Sequence, residues 1–313
     1  MRQSGAVSLP EPSRRDTRLD TYVDAYAERT HGLTVSAVRA LFAVANRPEV
    51  VSLAGGMPNI ADLPREALAK AVDRLIAERG TQAMQYGSGQ GEPFMREKIV
   101  EVMAEEEIHA HADDIVVTCG SQQALDLVTR VFCDPGDVVL AEAPSYVGAI
   151  GTFRAYQCEV VHVGMDDDGI DPVALRNALV SLKAAGKRVK FLYTIPNFQN
   201  PSGITQTLQR RRELLAVAKE HNLLILEDNP YGLLRYEGEA LPTLYALDGG
   251  AYVVYLGTFS KILSAGLRIG WVVAPPPIRE KIVLGKGASD LCTSTLTQDF
   301  AGEYFKKGNW QAY

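Results

Sequence analysis

Leu223-Leu224-Ile225-Leu226 runs directly into Glu227-Asp228-Asn229-Pro230-Tyr231, and this junction of an apolar run with a polar cluster decides the fold. Four consecutive aliphatic side chains leave no solvated face, so the run reads as a strand buried on both sides. Before it, Thr207 to His221 carries helical spacing, and a helix feeding a buried strand is the repeating unit of an α/β sheet. Further runs of the same kind are Ile115 to Thr118, Val138 to Glu142, Val160 to Val163, Val189 to Ile195, Tyr252 to Leu256 and Ile269 to Val273. Ser121 to Phe132 and Pro172 to Ala185 supply helices between them. The expected fold class is therefore α/β, with a mostly parallel, mixed sheet covered by helices on both faces.

In such sheets ligands sit beyond the carboxyl ends of the strands. Polar, chemically useful residues should then follow the apolar runs, and they do so five times: Cys119-Gly120-Ser121-Gln122, Pro144-Ser145-Tyr146, Asn197 to Asn200, Asp228 to Tyr231, and Thr258-Phe259-Ser260-Lys261. The last cluster sets one lysine among hydroxyls, with Arg268 seven residues further on in Gly266-Leu267-Arg268-Ile269-Gly270. That grouping suits an aldehyde cofactor carrying a phosphate: an amine to hold the carbonyl, with hydroxyls and a permanent cation for the anion. Gly120-Ser121-Gln122 opens a helix after a strand, so its backbone N–H groups and helix dipole also favour an anion. Asp228 is carried inward at the end of its strand, which puts a buried carboxylate at the same rim; Glu227 alternates to the other face.

The rest of the 313-residue chain narrows the classes of function. With 32 basic and 38 acidic side chains the formal charge is −6, which gives no reason to expect nucleic acid or an anionic membrane as partner. A small-molecule ligand is the default. Cys119, Cys133, Cys158 and Cys292 are far apart in sequence and form no C-x-x-C pair, so neither a zinc site nor a secreted disulfide framework is indicated, and a cytoplasmic setting is expected. The first residues intersperse Arg14, Arg15 and Arg18 with acidic groups and lack the apolar core of a signal peptide. No apolar run approaches the ~20 residues of a transmembrane helix.

Four of these stretches, Asn200-Pro201-Ser202-Gly203, Glu227 to Tyr231, Thr258 to Lys261 and Gly266 to Gly270, resemble the fold-type I, pyridoxal phosphate (PLP)-dependent class I/II aminotransferases. Ser52-Leu53-Ala54-Gly55-Gly56-Met57-Pro58-Asn59 and Gly120 to Leu125 are similar to the branch containing 2-aminoadipate and kynurenine aminotransferases, and the resemblance runs from about residue 33 to the end. It implies that Lys261 binds the cofactor aldehyde as a Schiff base and then acts as the base, with Asp228 under the ring nitrogen. Tyr231 and Asn200 would donate to the cofactor's phenolic oxygen, and Tyr146 would stack on the ring. Ser121, Gln122, Thr258, Ser260 and Arg268 would hold the phosphate. Tyr86 would reach the phosphate of a neighbouring subunit, making a homodimer with composite sites. Gly55, Gly56 and Asn200 would meet the amino-acid and 2-oxo-acid substrates, with 2-oxoglutarate as the acceptor. Structural roles stand beside several of these: Asn-Pro is a turn signal in itself, Tyr146 and Tyr231 also suit a core, Tyr86 also suits a plain interface, and paired glycines also serve chain geometry.

The domain organisation expected is an N-terminal arm over 1–32, a helix and extended segment over 33–65, a large PLP-binding domain over 66–285, and the start of a C-terminal small domain over 286–313. Val35, Val38, Leu41, Phe42 and Ala45 mark the first helix, and Leu296 to Lys307 reads as another. Members of the family continue past this point into a domain carrying the arginine that binds the substrate α-carboxylate. The expectation is a chain that binds PLP but turns amino acids over poorly. Competing readings are another PLP reaction on the same frame, such as a lyase, synthase or oxidase, a transcription regulator with a sensor domain of this kind, and a PLP-binding protein without turnover.

Overall fold

A computed structural model describes residues 20–32, 49–51, 56, 58–61, 63–305 and 310. The helix expected over Val35 to Ala45 and the Ser52 to Gly55 stretch lie outside them. Seven strands form one sheet: β1 (Ile115–Thr118), β2 (Val138–Glu142), β3 (Glu159–Val163), β6 (Val189–Thr194), β7 (Leu224–Asp228), β8 (Val253–Thr258) and β9 (Gly270–Val273), in the order β1-β9-β8-β7-β6-β2-β3. Between them, β4 (Met165–Asp166) and β5 (Gly169–Ile170) make a small separate hairpin. The main sheet is parallel except at β9, which runs antiparallel to both β8 and β1. Every apolar run named above is a strand of it.

The continuous hydrophobicity of those runs follows from burial on two faces. Val116, Val139, Phe191, Tyr193, Leu226, Val254 and Val272 line one core, against α3 (Gly120–Phe132), α4 (Val147–Ala155) and α8 (Pro276–Gly287). Their strand neighbours turn to the other side: Val138, Leu140, Leu192, Ile225 and Val253 meet α5 (Pro172–Ala184), α6 (Leu208–His221) and α7 (Leu244–Asp248). Towards the sheet edge, Val117, Tyr255, Trp271 and Val273 share a third cluster with α1 (Arg65–Ala83), α2 (Pro93–Ala104) and α9 (Thr295–Phe305). Gly257 makes room for this last packing: a Cβ there would overlap Trp271 Cε2.

All four cysteines are free thiols, and Cys133, just after α3, meets Cys158, just before β3. The turn Asp134 to Asp137 brings them together, with Gly136 N donating to Gln157 O at 3.0 Å and Glu159 N to Asp137 O at 2.9 Å. Among the described residues no helix is long and apolar enough to cross a membrane.

Candidate active site

The carboxyl ends of β2, β6, β7 and β8 lie along one edge, and β1 and β9 complete it because Thr118 and Thr258 both pair with Gly270. Lys261 leaves this edge on one turn of π-helix, Ser260–Ser264, followed by a 3-10 turn, Ala265–Leu267; Arg268 (φ 54°) then returns the chain to β9. The mouth of the excursion is tied. Phe259 N donates to Ile269 O at 3.0 Å, and the Thr258 hydroxyl donates to the same carbonyl at 3.1 Å while accepting from Ser260 N at 3.1 Å. Phe259 is fully buried against Trp271 and Phe305, which anchors the start of the segment.

Lys261 Nζ donates to the Gly56 carbonyl at 2.9 Å and lies 6.0 Å from the centre of the Tyr231 ring. Burial lowers its pKa, because an ammonium loses hydration there, and a more readily neutral amine is a better nucleophile and base. Asp228 is 3% exposed and burial pushes its carboxyl up to about 6, against the opposing effect of Tyr193, whose hydroxyl donates to Oδ2 at 2.8 Å. Its other oxygen, Oδ1, is buried without a hydrogen-bond partner. A buried carboxylate oxygen left unpaired is costly, so this atom is suited to an incoming N–H donor, above all a cationic one. Asn200 Nδ2 donates to Tyr231 Oη at 3.2 Å, joining two different strand ends. Tyr146 caps the start of α4 beyond β2, its ring so close over Gly148 that a Cβ there would overlap Cζ.

The anion end is formed by the start of α3 and Arg268. Gly120 (φ +72°) opens α3, and Arg268 folds over it: Nη2 donates to Cys119 O at 3.2 Å and Nη1 to Ala265 O at 3.3 Å. A Cβ on Gly120 would overlap Arg268 Nη2, and one on Gly270 would come within 2.5 Å of Ser121 N, so both glycines permit the close approach. The result is a helix N-terminus beside a guanidinium, a pairing that favours phosphate. The Gln122 side chain donates to Thr152 Oγ1 at 2.7 Å, so what Gln122 offers towards this end is its backbone N–H.

A model of the class I and II aminotransferases matches residues 48–309. The chain belongs to that family. It is 41% identical to aromatic-amino-acid aminotransferase 1 of Thermococcus litoralis over 92% of this chain and 69% of that protein. Kynurenine aminotransferase of Pyrococcus horikoshii, solved with PMP, superposes with a TM-score of 0.85 at 38% identity, covering 92% of this chain and 71% of that one. LysN, the α-aminoadipate aminotransferase of Thermus thermophilus solved with a phosphopyridoxyl-leucine, gives 0.84 at 36%, over 93% and 72%. This aminotransferase uses pyridoxal phosphate, and its residues fit that group: an unpaired buried carboxylate oxygen for the ring nitrogen, a half-buried amine for the aldehyde and a glycine-floored cationic cradle for the phosphate.

Of the residues expected from sequence, Lys261, Asp228, Tyr231, Asn200, Thr258, Ser260, Arg268, Ser121, Gln122, Tyr146 and Gly56 stand at this edge or against it. Gly55 lies outside the described residues. Tyr86 follows α1 and is 77% exposed. Sequence reasoning missed Tyr193, the donor to Asp228; a hydroxyl within an otherwise apolar strand was the available signal. It also missed the polar chain under the site, where Arg211 Nη2 donates to Asn197 Oδ1 (2.7 Å), Asn197 to Asn229 (2.9 Å) and Asn229 to Glu106 (2.7 Å).

Proposed function

We propose that this aminotransferase moves the amino group of an α-amino acid to 2-oxoglutarate, with Lys261 as the catalytic base and Asp228 and Tyr231 tuning the cofactor. Bound there, pyridoxal phosphate supplies an electron-withdrawing ring that labilises the bonds at the substrate α-carbon. Lys261 Nζ, its proton affinity lowered by burial, takes up and releases the substrate α-proton. Asp228 holds a proton on the ring nitrogen through Oδ1, with Tyr193 fixing the carboxylate from the other side. Tyr231 and Asn200 donate towards the phenolic oxygen, Tyr146 covers the ring, and Gly120 to Gln122 with Thr258, Ser260 and Arg268 hold the phosphate. The substrate meets Asn200, Gly55 and Gly56, and the Lys261 contact to Gly56 O supports this for Gly56. Residues 66–285 act as the cofactor-binding unit, with 33–65 and 286–313 belonging to a smaller substrate-closing unit.

The unpaired Asp228 Oδ1, at the same strand edge as a lysine of lowered pKa, carries this reading. Relatives that are aromatic-amino-acid, 2-aminoadipate and kynurenine aminotransferases favour a bulky donor here too. We further place the enzyme in the cytoplasm as a homodimer, where the exposed Tyr86 serves the partner's phosphate and the four thiols stay reduced. The test is direct: borohydride reduction of the PLP-loaded protein should fix the label on the peptide containing Lys261, and an aromatic donor with 2-oxoglutarate should yield glutamate. Label on another lysine removes the assignment of Lys261; release of ammonia in place of glutamate makes the reaction an elimination.

A further inference from the structure

Glu142 ends β2 on the sheet face opposite Asp228 and is completely buried. Its neighbours are all donors. Thr194 Oγ1 (2.5 Å), Ile195 N (3.1 Å) and Gln206 Nε2 (3.4 Å) reach Oε1, and Gln199 Nε2 reaches Oε2 at 2.9 Å. Gln199, 2% exposed, commits its remaining atoms as well: Nε2 also donates to Pro144 O at 2.9 Å, and Oε1 accepts from Ser202 N at 2.8 Å. Its backbone closes the same turn, N donating to Ile204 O (2.8 Å) and O accepting from Gly203 N (2.6 Å). Asn200 is thus bracketed within a turn whose side-chain staple runs to Glu142 and to the carbonyl two residues before Tyr146. Gln199 makes no hydrogen bond to Tyr231; Asn200 does.

Only a group with two acceptor oxygens satisfies this set of donors. An amide at position 142 would turn its NH2 either on Gln199 or on the Ile195 and Gln206 donors. We propose that Gln199, clamped by Glu142, is a positioning residue that fixes where the Asn200 amide points towards Tyr231 and the cofactor's phenolic oxygen. The inference rests on the role proposed above for Asn200. Donors to a phenolic oxygen stabilise its anion and lower the pH at which the Lys261-linked cofactor loses its proton, so removing one raises that midpoint. The charge of Glu142 is felt by Tyr193 on the other face of the sheet, and the exposed His162 has its Nδ1 2.9 Å from the Glu142 backbone carbonyl; both are left in place by a change at Gln199.

The experiment compares Asn200→Ala, Gln199→Leu and the double variant, each loaded with PLP, by the pH midpoint of the cofactor's absorbance change and by PLP affinity. Asn200→Ala is expected to raise the midpoint by about one pH unit, Gln199→Leu to raise it comparably, and the double variant to exceed neither. A Gln199→Leu midpoint equal to that of the wild type, or two shifts that add, overturns the proposal. If Gln199→Leu does not fold by thermal melting, Glu142→Gln takes its place and the same outcomes decide. Should Asn200→Ala leave the midpoint unmoved, the Asn200 assignment falls and the positioning role falls with it. A wild-type chain that takes up no PLP would instead remove the proposed site as a whole.

Discussion

Replacing Asp228 with Asn removes a charge the fold holds at a cost. The buried carboxyl is pushed up to about 6 from its ordinary 3.8; at about 1.4 kcal/mol per pH unit, keeping it ionised costs the cofactor-free protein about 3 kcal/mol. Because the folded carboxyl binds its proton more tightly than the unfolded one, this cost is absent below about pH 4, grows as the pH rises towards 6 and is constant above. The substituted amide would keep an oxygen for the Tyr193 hydroxyl and carry no charge. The PLP-free Asp228→Asn protein should therefore be more stable than the wild type by up to about 3 kcal/mol at pH 8, with the gap narrowing to about 1 kcal/mol at pH 4.5 and closing below about pH 4. Glu142 and Glu227, each pushed up to about 7 by burial, act equally in both proteins and cancel in the difference. Cofactor binding should move the other way: losing the partner of a cationic ring nitrogen should weaken PLP by about tenfold or more. Urea unfolding of the PLP-free proteins at the two pH values, with PLP titration by fluorescence, measures both. A variant no more stable at pH 8, or one that holds PLP as tightly as the wild type, would refute the reasoning.

The remaining expectations test other parts of the site and its support. Lys261→Ala should lose turnover while still binding PLP non-covalently, seen as cofactor that dialyses away and takes no borohydride label. Gly120→Ala should cost about 1–2 kcal/mol from the positive φ and displace Arg268, lowering PLP affinity; Gly136→Ala, also at positive φ (+84°) but with nothing within 4 Å of its Cβ, should cost similar stability with PLP affinity unchanged. Gly257→Ala drives a methyl into the Trp271 ring within the sheet and should cost more than about 3 kcal/mol in denaturant unfolding, or abolish soluble expression.

The strands were legible because most are buried on both faces, so that Val138 to Glu142 or Leu223 to Leu226 could hardly be anything else. Strand direction was not: Ile269 to Val273 is equally apolar whichever way it runs, and only the short excursion from β8 makes β9 antiparallel. The site was legible where polar residues follow a run, as at Asp228 or Lys261. Where a functional side chain lies inside a run, the signal is lost. Tyr193 sits within Val189 to Ile195, and Glu142 passed as the last residue of its strand, although its burial among four donors ties two strand ends together. The meeting of Cys133 with Cys158 depended on the turn between α3 and β2, which spacing along the chain does not encode.

Lys261 and Arg268 belong to one excursion, pinned at its mouth by Phe259, Thr258 and Ile269. The separation between the aldehyde anchor and the phosphate anchor is therefore measured off by a single short piece of chain, which acts as a ruler matched to one molecule. An inserted residue adds up to about 3.5 Å of reach, more than a hydrogen bond tolerates, and would put both anchors out of register together. Side chains from Ile262 to Leu267 can drift within their packing, but their number cannot. In this segment the inherited quantity is length.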